Sequence, residues 1–458
     1  MANVTSVLER AASQRDRYVE ELLEFLRIPS VSTDSKHKED VARCAEFVAE
    51  KLRAAGAEAR VFPTDGHPIV FGEIRAANKN APTVLVYGHY DVQPADPLDL
   101  WKTPPFEPRI ADGNVYARGA ADDKGQLYTH VKAVEAYREA GTPLPVNVKF
   151  LIEGEEEVSS THLDGFLKSE KKRLACDVVV ISDTDQFAPG VPAITYGLRG
   201  IMYMEIRVDG PEKDLHSGMF GGSVMNPAAA LAAILASLKD GGGRILIPGF
   251  YDDVVPLDAW EREMWAKLPF DEEEWRGLAG SPKLTGERGF TTLERRWARP
   301  TLEINGIYGG YQGEGAKTII PGWAGAKVSM RLVANQTPDR AAQLFERAVQ
   351  HRCPPGVRVT TKRLSGGMPV LVPVESPAVR AASRAIERGF GKAPVFVRSG
   401  GSIPVVGSFK QILGVDSLLL GWGRPDDNIH SPNEKFHLGD YQKGIETSAI
   451  LLEELAKT

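Results

Sequence analysis

The chemistry of this sequence opens in the stretch Leu85-Val-Tyr-Gly-His89-Tyr-Asp91-Val-Gln-Pro94, where an imidazole and a carboxylate stand two residues apart. In extended backbone, residues i and i+2 point the same way, so this pair shares one face just past an apolar strand over 83–87. Open α/β sheets place their ligands at strand ends. The pattern fits a metal-binding His89 whose second ring nitrogen is oriented by Asp91. A polar pair that closes a strand is the plain alternative.

Four further clusters have the same character. Gly119-Ala-Ala-Asp122-Asp123-Lys-Gly125 opens a helix. An acidic helix cap explains one of its carboxylates but not two side by side. Glu153-Gly-Glu155-Glu156-Glu157 follows an apolar strand at once, where crowded like charges call for a cation, although a carboxylate run is commonly a solvated face. Asp183 sits at the end of another apolar run, and Asn428-Ile-His430-Ser-Pro-Asn-Glu434 lies near the C-terminus. Together they supply two imidazoles, several carboxylates and no thiolates. Such a set suits two hard or borderline divalent cations, zinc or manganese foremost. Two ions about 3.5–4 Å apart need one bridging carboxylate and clamp a water between them. No H-E-x-x-H is present, so the helix-borne zinc-protease pattern is absent.

At this point the chain resembles the M20 metallopeptidases, and within them the cytosolic nonspecific dipeptidase and carnosinase branch. The resemblance rests on Gly-His89-Tyr-Asp91-Val-Gln-Pro, Arg-Gly-Ala-Ala-Asp122-Asp123-Lys-Gly, Glu-Gly-Glu-Glu156-Glu157 and Ser-Asp183-Thr. It continues through Asp-Leu-His216-Ser-Gly, Arg-Ser-Gly-Gly-Ser402-Ile-Pro and His430-Ser-x-Asn-Glu-Lys, in family order over most of the chain. It implies a two-metal site of zinc or manganese, with cobalt as a third candidate. His89 and Asp183 would hold one ion, Glu157 and His430 the other, and Asp122 would bridge, with a cis peptide after it. Asp91 would orient His89, and Glu156 would be the general base.

The implied reaction is hydrolysis of a dipeptide. The two ions would acidify a shared water, and Glu156 would take its proton and pass it to the leaving amine. His216 would support the oxyanion from the other subunit of a homodimer. Arg331 would grip the substrate carboxylate with its guanidinium fork, and Thr318 and Ser402 would contact the substrate. An aminoacylase or carboxypeptidase on the same site is the alternative enzyme. A non-catalytic metal-dependent binding protein is the alternative class, and the presence of Glu156 beside all five ligands speaks against it. The chain departs from the family where Ser365-Gly366-Gly367 replaces a frequent His-Gly-Gly, and where Ser399 replaces a frequent Glu before Gly-Gly-Ser. Neither change touches a metal ligand.

The elements that must position these residues are legible from periodicity. A chain of 458 residues is too long for one small core. Helices are expected over 4–26, 40–54, 124–140, 376–389 and from the last turn-rich segment to 456. Strands are expected over 58–62, 69–73, 83–87, 146–152, 178–182 and 417–420. Between them, 202–209, 226–239, 302–307, 323–333, 339–350 and 357–363 read as β-α-β-β-α-β, the ferredoxin-like motif. The expected architecture is therefore a zinc-peptidase-type α/β catalytic domain with a mixed sheet, formed by 1–198 and 370–458. A ferredoxin-like α+β domain over 199–369 is inserted as lid and dimerisation element. Residues 241–300 read as short helices. The glycine-rich run from Gly306 to Thr318 lacks the glycine that a P-loop needs before its lysine, since Ala316 stands there.

Composition narrows the setting. With 42% hydrophobic and 25% charged residues and a net charge of -6, the chain is an ordinary globular one without the basic stripe of a nucleic-acid binder. No apolar run approaches the ~20 residues of a membrane span, and no signal peptide is expected from the first residues. Three scattered cysteines fit a reducing compartment, so a cytoplasmic location is expected, with a small peptide as partner and neither nucleic acid nor membrane.

Overall fold

The computed structural model describes residues 4–401 and 403–458 of the chain. They divide into two compact units. The first comprises the described residues up to Tyr196 together with Val372–Val397 and Ser408–Thr458; the second comprises Gly197–Leu371 and Arg398–Gly407.

The first unit has a mixed α/β fold. Its sheet runs in the order Glu58–Phe62, Ile69–Ile74, Asn147–Glu153, Thr83–His89, Val178–Asp185, Ser417–Gly423, Ala193–Leu198. The middle four strands are parallel neighbours and the flanking pairs are antiparallel. Parallel strands are covered on both faces, so they read as continuous apolar runs. Thr83–His89 and Asn147–Glu153 are accordingly buried from their second residue onward. Lys124–Glu139 and Leu438–Leu455 cover the sheet as long helices. The first is buried all the way from Lys124 to Tyr137, charged side chains included. Lys132, for example, lies 2.6 Å from Glu135 within the helix.

The element boundaries differ from expectation in two ways. The N-terminal helix is two helices, Val4–Ser13 and Arg15–Leu26, separated by a turn at Gln14. The Ser13 hydroxyl donates to the Arg10 carbonyl there, the local bond by which serine competes with a helix. Three strands also run further than their apolar cores, so that His89, Glu153 and Asp183 lie within strands rather than past them.

The second unit is built on a four-stranded antiparallel sheet in the order Thr301–Gly309, Trp323–Leu332, Gly200–Asp209, Arg358–Gly367. Gly200–Asp209 alternates buried and partly exposed residues with period two, the sign of a sheet covered on one side. Met202, Met204, Ile206 and Val208 point into a core with Leu231 and Ile234 of helix Pro227–Ser237 and Phe345 and Val349 of helix Pro338–His351. The segment 241–300 carries three short helices, Ala259–Trp265, Glu272–Leu278 and Thr292–Trp297. Trp265 and Trp297 meet edge to face, with centroids 5.0 Å apart.

Candidate active site

The C-terminal ends of the parallel strands bring the expected residues of the first unit together. His89 is the last residue of its strand and is fully buried. Tyr87 pairs with Ile181, which sets His89 level with Asp183 on the neighbouring strand. Asp122 comes from the loop that precedes helix Lys124–Glu139, and its peptide bond to Asp123 is cis. Glu156 and Glu157 begin a single helical turn after Asn147–Glu153. His430 lies in the loop after Ser417–Gly423, with a positive φ of 58°.

The distances form two groups. Ligand atoms of His89, Asp122 and Asp183 lie within 4.8 Å of one another, and so do those of Asp122, Glu157 and His430. Asp122 belongs to both. Its Oδ1 is 3.1 Å from His89 Nε2 and its Oδ2 is 2.9 Å from His430 Nε2. Glu157 Oε2 is 3.3 Å from the same His430 nitrogen. The buried Nε2 of His89 makes no hydrogen bond, so its nearness to Asp122 is a shared aim rather than a bond. A buried imidazole nitrogen of this kind, with carboxylates turned toward the same point, fits a divalent cation.

Electrostatics describe the same crowding. Burial works against an imidazolium at His89, yet the carboxylates of Asp122 and Asp91 outweigh it and hold its pKa well above the ordinary value. Bonds to Asp122 and Glu157 raise His430 to about 10. Burial pushes Asp183 and Asp123 well above the carboxylate range, with neighbouring carboxylates adding to it. A cation held there would relieve this repulsion and take the place of the protons. Glu156 is raised to about 7, by burial first and then by Glu157, Asp122 and Asp91, while His89 pulls the other way.

Around these groups stand residues that the sequence reading left without a role. Gln93 donates its side-chain N–H to Glu157 Oε2 at 2.7 Å. Asp123 Oδ2 accepts the His89 main-chain N–H at 3.3 Å. The Asp91 contact has its own geometry: the atom nearest His89 Nδ1 is the Asp91 main-chain carbonyl at 3.1 Å, with the carboxylate at 3.5 Å. That carboxylate instead accepts main-chain N–H groups from Glu156 and Glu157. The position of Gln93, four residues after His89 in the loop that follows its strand, is the one sequence signal that could have marked it.

His216, Thr318 and Arg331 belong to the second unit. His216 is exposed, and its Nδ1 accepts the Gly218 N–H at 3.0 Å. Thr318 is exposed and its carbonyl accepts the Ser217 N–H. Arg331 is half-buried on its strand, in register with Thr301 and Ile201. Ser402 lies outside the described residues.

Fold and donor set together define a metal-binding hydrolase. The profile of peptidase family M20/M25/M40 matches residues 85–454, and the chain belongs to that family. It is 36% identical over 97% of its length to Cys-Gly metallodipeptidase dug1 of Schizosaccharomyces pombe, spanning 96% of that protein. Its structure is similar to that of human carnosine dipeptidase 1, with a TM-score of 0.80, 34% identity and full coverage of both chains. It is equally similar to an M20 family metallo-carboxypeptidase from Sulfolobus solfataricus, with a TM-score of 0.83 and 35% identity over 96% of this chain and 99% of that one. No helix among the described residues is long and apolar enough to cross a membrane.

Proposed function

We propose that this protein is a dipeptidase that works with two divalent metal ions and hydrolyses the peptide bond of dipeptides. One observation carries the reading: Asp122 contributes a ligand atom to both donor groups, so two ions held there would share it. In this reading His89 and Asp183 would hold one ion and Glu157 and His430 the other, with Asp122 shared between them. Imidazole and carboxylate donors without thiolate favour zinc or manganese, with cobalt as a substitute.

Bound there, the ions supply Lewis acidity that makes water a nucleophile near neutral pH. The chain does the rest. Glu156 takes the proton at its carboxylate and returns it to the leaving amine. Asp91 keeps the Glu156 main chain fixed to the strand end that carries His89. Gln93 holds Glu157 so that its carboxylate faces the centre. Arg331 grips the substrate carboxylate through charge-assisted bonds, Thr318 and Ser402 contact the substrate, and His216 supports the oxyanion.

The domain division we adopt is catalytic 1–198 and 370–458 with a lid over 199–369. The lid is ferredoxin-like, a reading supported by its β-α-β-β-α-β element order and its strand order. Its outer strands offer edges to pair, and through it the protein forms a homodimer that brings His216 to the partner's site. Three free thiols favour a reducing, cytoplasmic setting.

The test strips the protein with a chelator and restores zinc, manganese or cobalt. Free dipeptides, their C-terminal amides and N-acyl amino acids are then assayed. Free dipeptides are expected to be cleaved, and the amides about ten-fold or more less well, because Arg331 loses its partner. Preference for N-acyl amino acids would replace the dipeptidase by an aminoacylase or carboxypeptidase. Metal-independent turnover would overturn the reading altogether.

A further inference from the structure

Glu434 is fully buried, four residues past His430, and every bond of its carboxylate goes to one turn. Oε1 accepts the main-chain N–H groups of Ala121 and Asp122, at 2.9 and 3.1 Å. Oε2 accepts the N–H of Gly119 at 3.0 Å and Arg118 Nη1 at 2.7 Å. The Glu434 carbonyl accepts the Ala117 N–H as well. Arg118 is itself buried; its other terminal nitrogen donates to the Pro94 carbonyl and its plane lies over Trp101, 5.4 Å from the ring centroid. The turn has little room to relax, because Gly119 holds a φ of 81° and a Cβ there would come within 2.6 Å of Val92.

We propose that Glu434 is the positioning residue that sets the spacing of the two metal sites. It fixes the main chain at Asp122, the residue common to both donor groups, and it does so from the segment that carries His430. His430 has a half-exposed side chain in a loop, so its distance to Asp122 is measured from Glu434. A buried carboxylate that gathers three main-chain N–H groups builds the turn before any ion arrives. Outer residues that orient ligands in this way typically control metal affinity about 10–100-fold. The inference rests on the two-metal reading given above and adds the residue that tunes it.

The test is Glu434→Gln, which keeps the size but turns an NH₂ toward N–H donors. The affinity of chelator-stripped protein for zinc and for manganese is measured by competition with a coloured chelator, without substrate. The apparent Kd is expected to rise about 10-fold or more at both sites. Asn433→Gly is the control. It removes neighbouring bonds to Lys102 and Leu100 but none to the Asp122 turn. It is expected to lower the thermal midpoint of the metal-free protein and leave both Kd values unchanged. If Glu434→Gln shows that same pattern, its role is structural and the proposal falls. Should Glu434→Gln not fold, Glu434→Asp, one methylene short of the turn, is measured and read identically. Wild-type protein that binds fewer than two ions would instead sink the two-metal reading itself.

Discussion

Asp91 holds Glu156 by its main chain: Asp91 Oδ1 accepts the Glu156 N–H at 3.3 Å, and Oδ2 accepts the Glu157 N–H at 3.2 Å. One carboxylate thus spans Glu156 and Glu157, the proposed base and the adjacent proposed ligand, while the Asp91 backbone carbonyl lies 3.1 Å from His89 Nδ1. Replacing Asp91 by Ala should therefore disturb the base more than the metals. A small misplacement of a catalytic group costs about 10²-fold, and kcat measured at saturating metal should drop by roughly that factor. Asn retains one acceptor and should lose less. Equal kcat for Asp91→Ala and wild type at saturating metal would contradict the link.

Glu156 and Glu157 are neighbours in sequence to which the proposed function gives different tasks. Glu156→Gln should abolish turnover while both metals stay bound. Glu157→Gln should release metal, since its Oε2 lies 3.3 Å from His430 and belongs to the second donor group. Elemental analysis of the two purified variants separates the roles. Equal metal loss in both would undo the assignment of Glu156 as base.

If His216 serves the partner's site, two inactive variants should rescue one another. His216→Ala should lose on the order of 10²–10³ in kcat, as for a single oxyanion donor. Mixed with Glu156→Gln under subunit exchange, each mixed dimer regains one complete site and at most half the wild-type activity. Verified exchange without recovery would place His216 in its own chain's site or in none.

His130 gives a pH signature independent of catalysis. It is buried, with Nε2 2.8 Å from the Ser182 hydroxyl, and burial lowers its pKa to about 3. Above the unfolded value near 6.5 the ring is neutral in both states and stability is unaffected. As pH falls from there toward about 3, the unfolded chain takes a proton that the folded one refuses. Stability then falls by ~1.4 kcal/mol per pH unit from this residue. Urea midpoints of wild type and His130→Asn, both metal-free, should converge between pH 6.5 and 5. Parallel curves would show that His130 is not the group concerned.

Much of the first unit was legible because its parallel strands are buried on both faces and so read as unbroken apolar runs. The ends of those strands were not legible. His89 and Asp183 continue the ladder, yet a polar residue at the close of an apolar run looks like the start of a loop. The helix Lys124–Glu139 shows no polar face to solvent, and its charges pair inside instead. The expected ligands stood out as His and carboxylate clusters. Glu434 was named at the end of one such cluster but given no role, because its meaning depends on a turn 312 residues earlier in the chain. Gln93 was hidden for a similar reason: an amide in a loop signals nothing until its partner, Glu157, is known.

The order of the chain has a consequence for biosynthesis. Ser417–Gly423 enters the sheet beside Val178–Asp185, and His430 and Glu434 follow it. A nascent chain that has left the ribosome as far as residue 400 therefore carries His89, Asp122 and Asp183 but neither His430 nor the clasp on the Asp122 turn. On the two-metal reading the centre is therefore loaded in full only once residues 430–434 have emerged, so the exchangeable metal met from that point on, rather than earlier in translation, bears on which ions the protein receives.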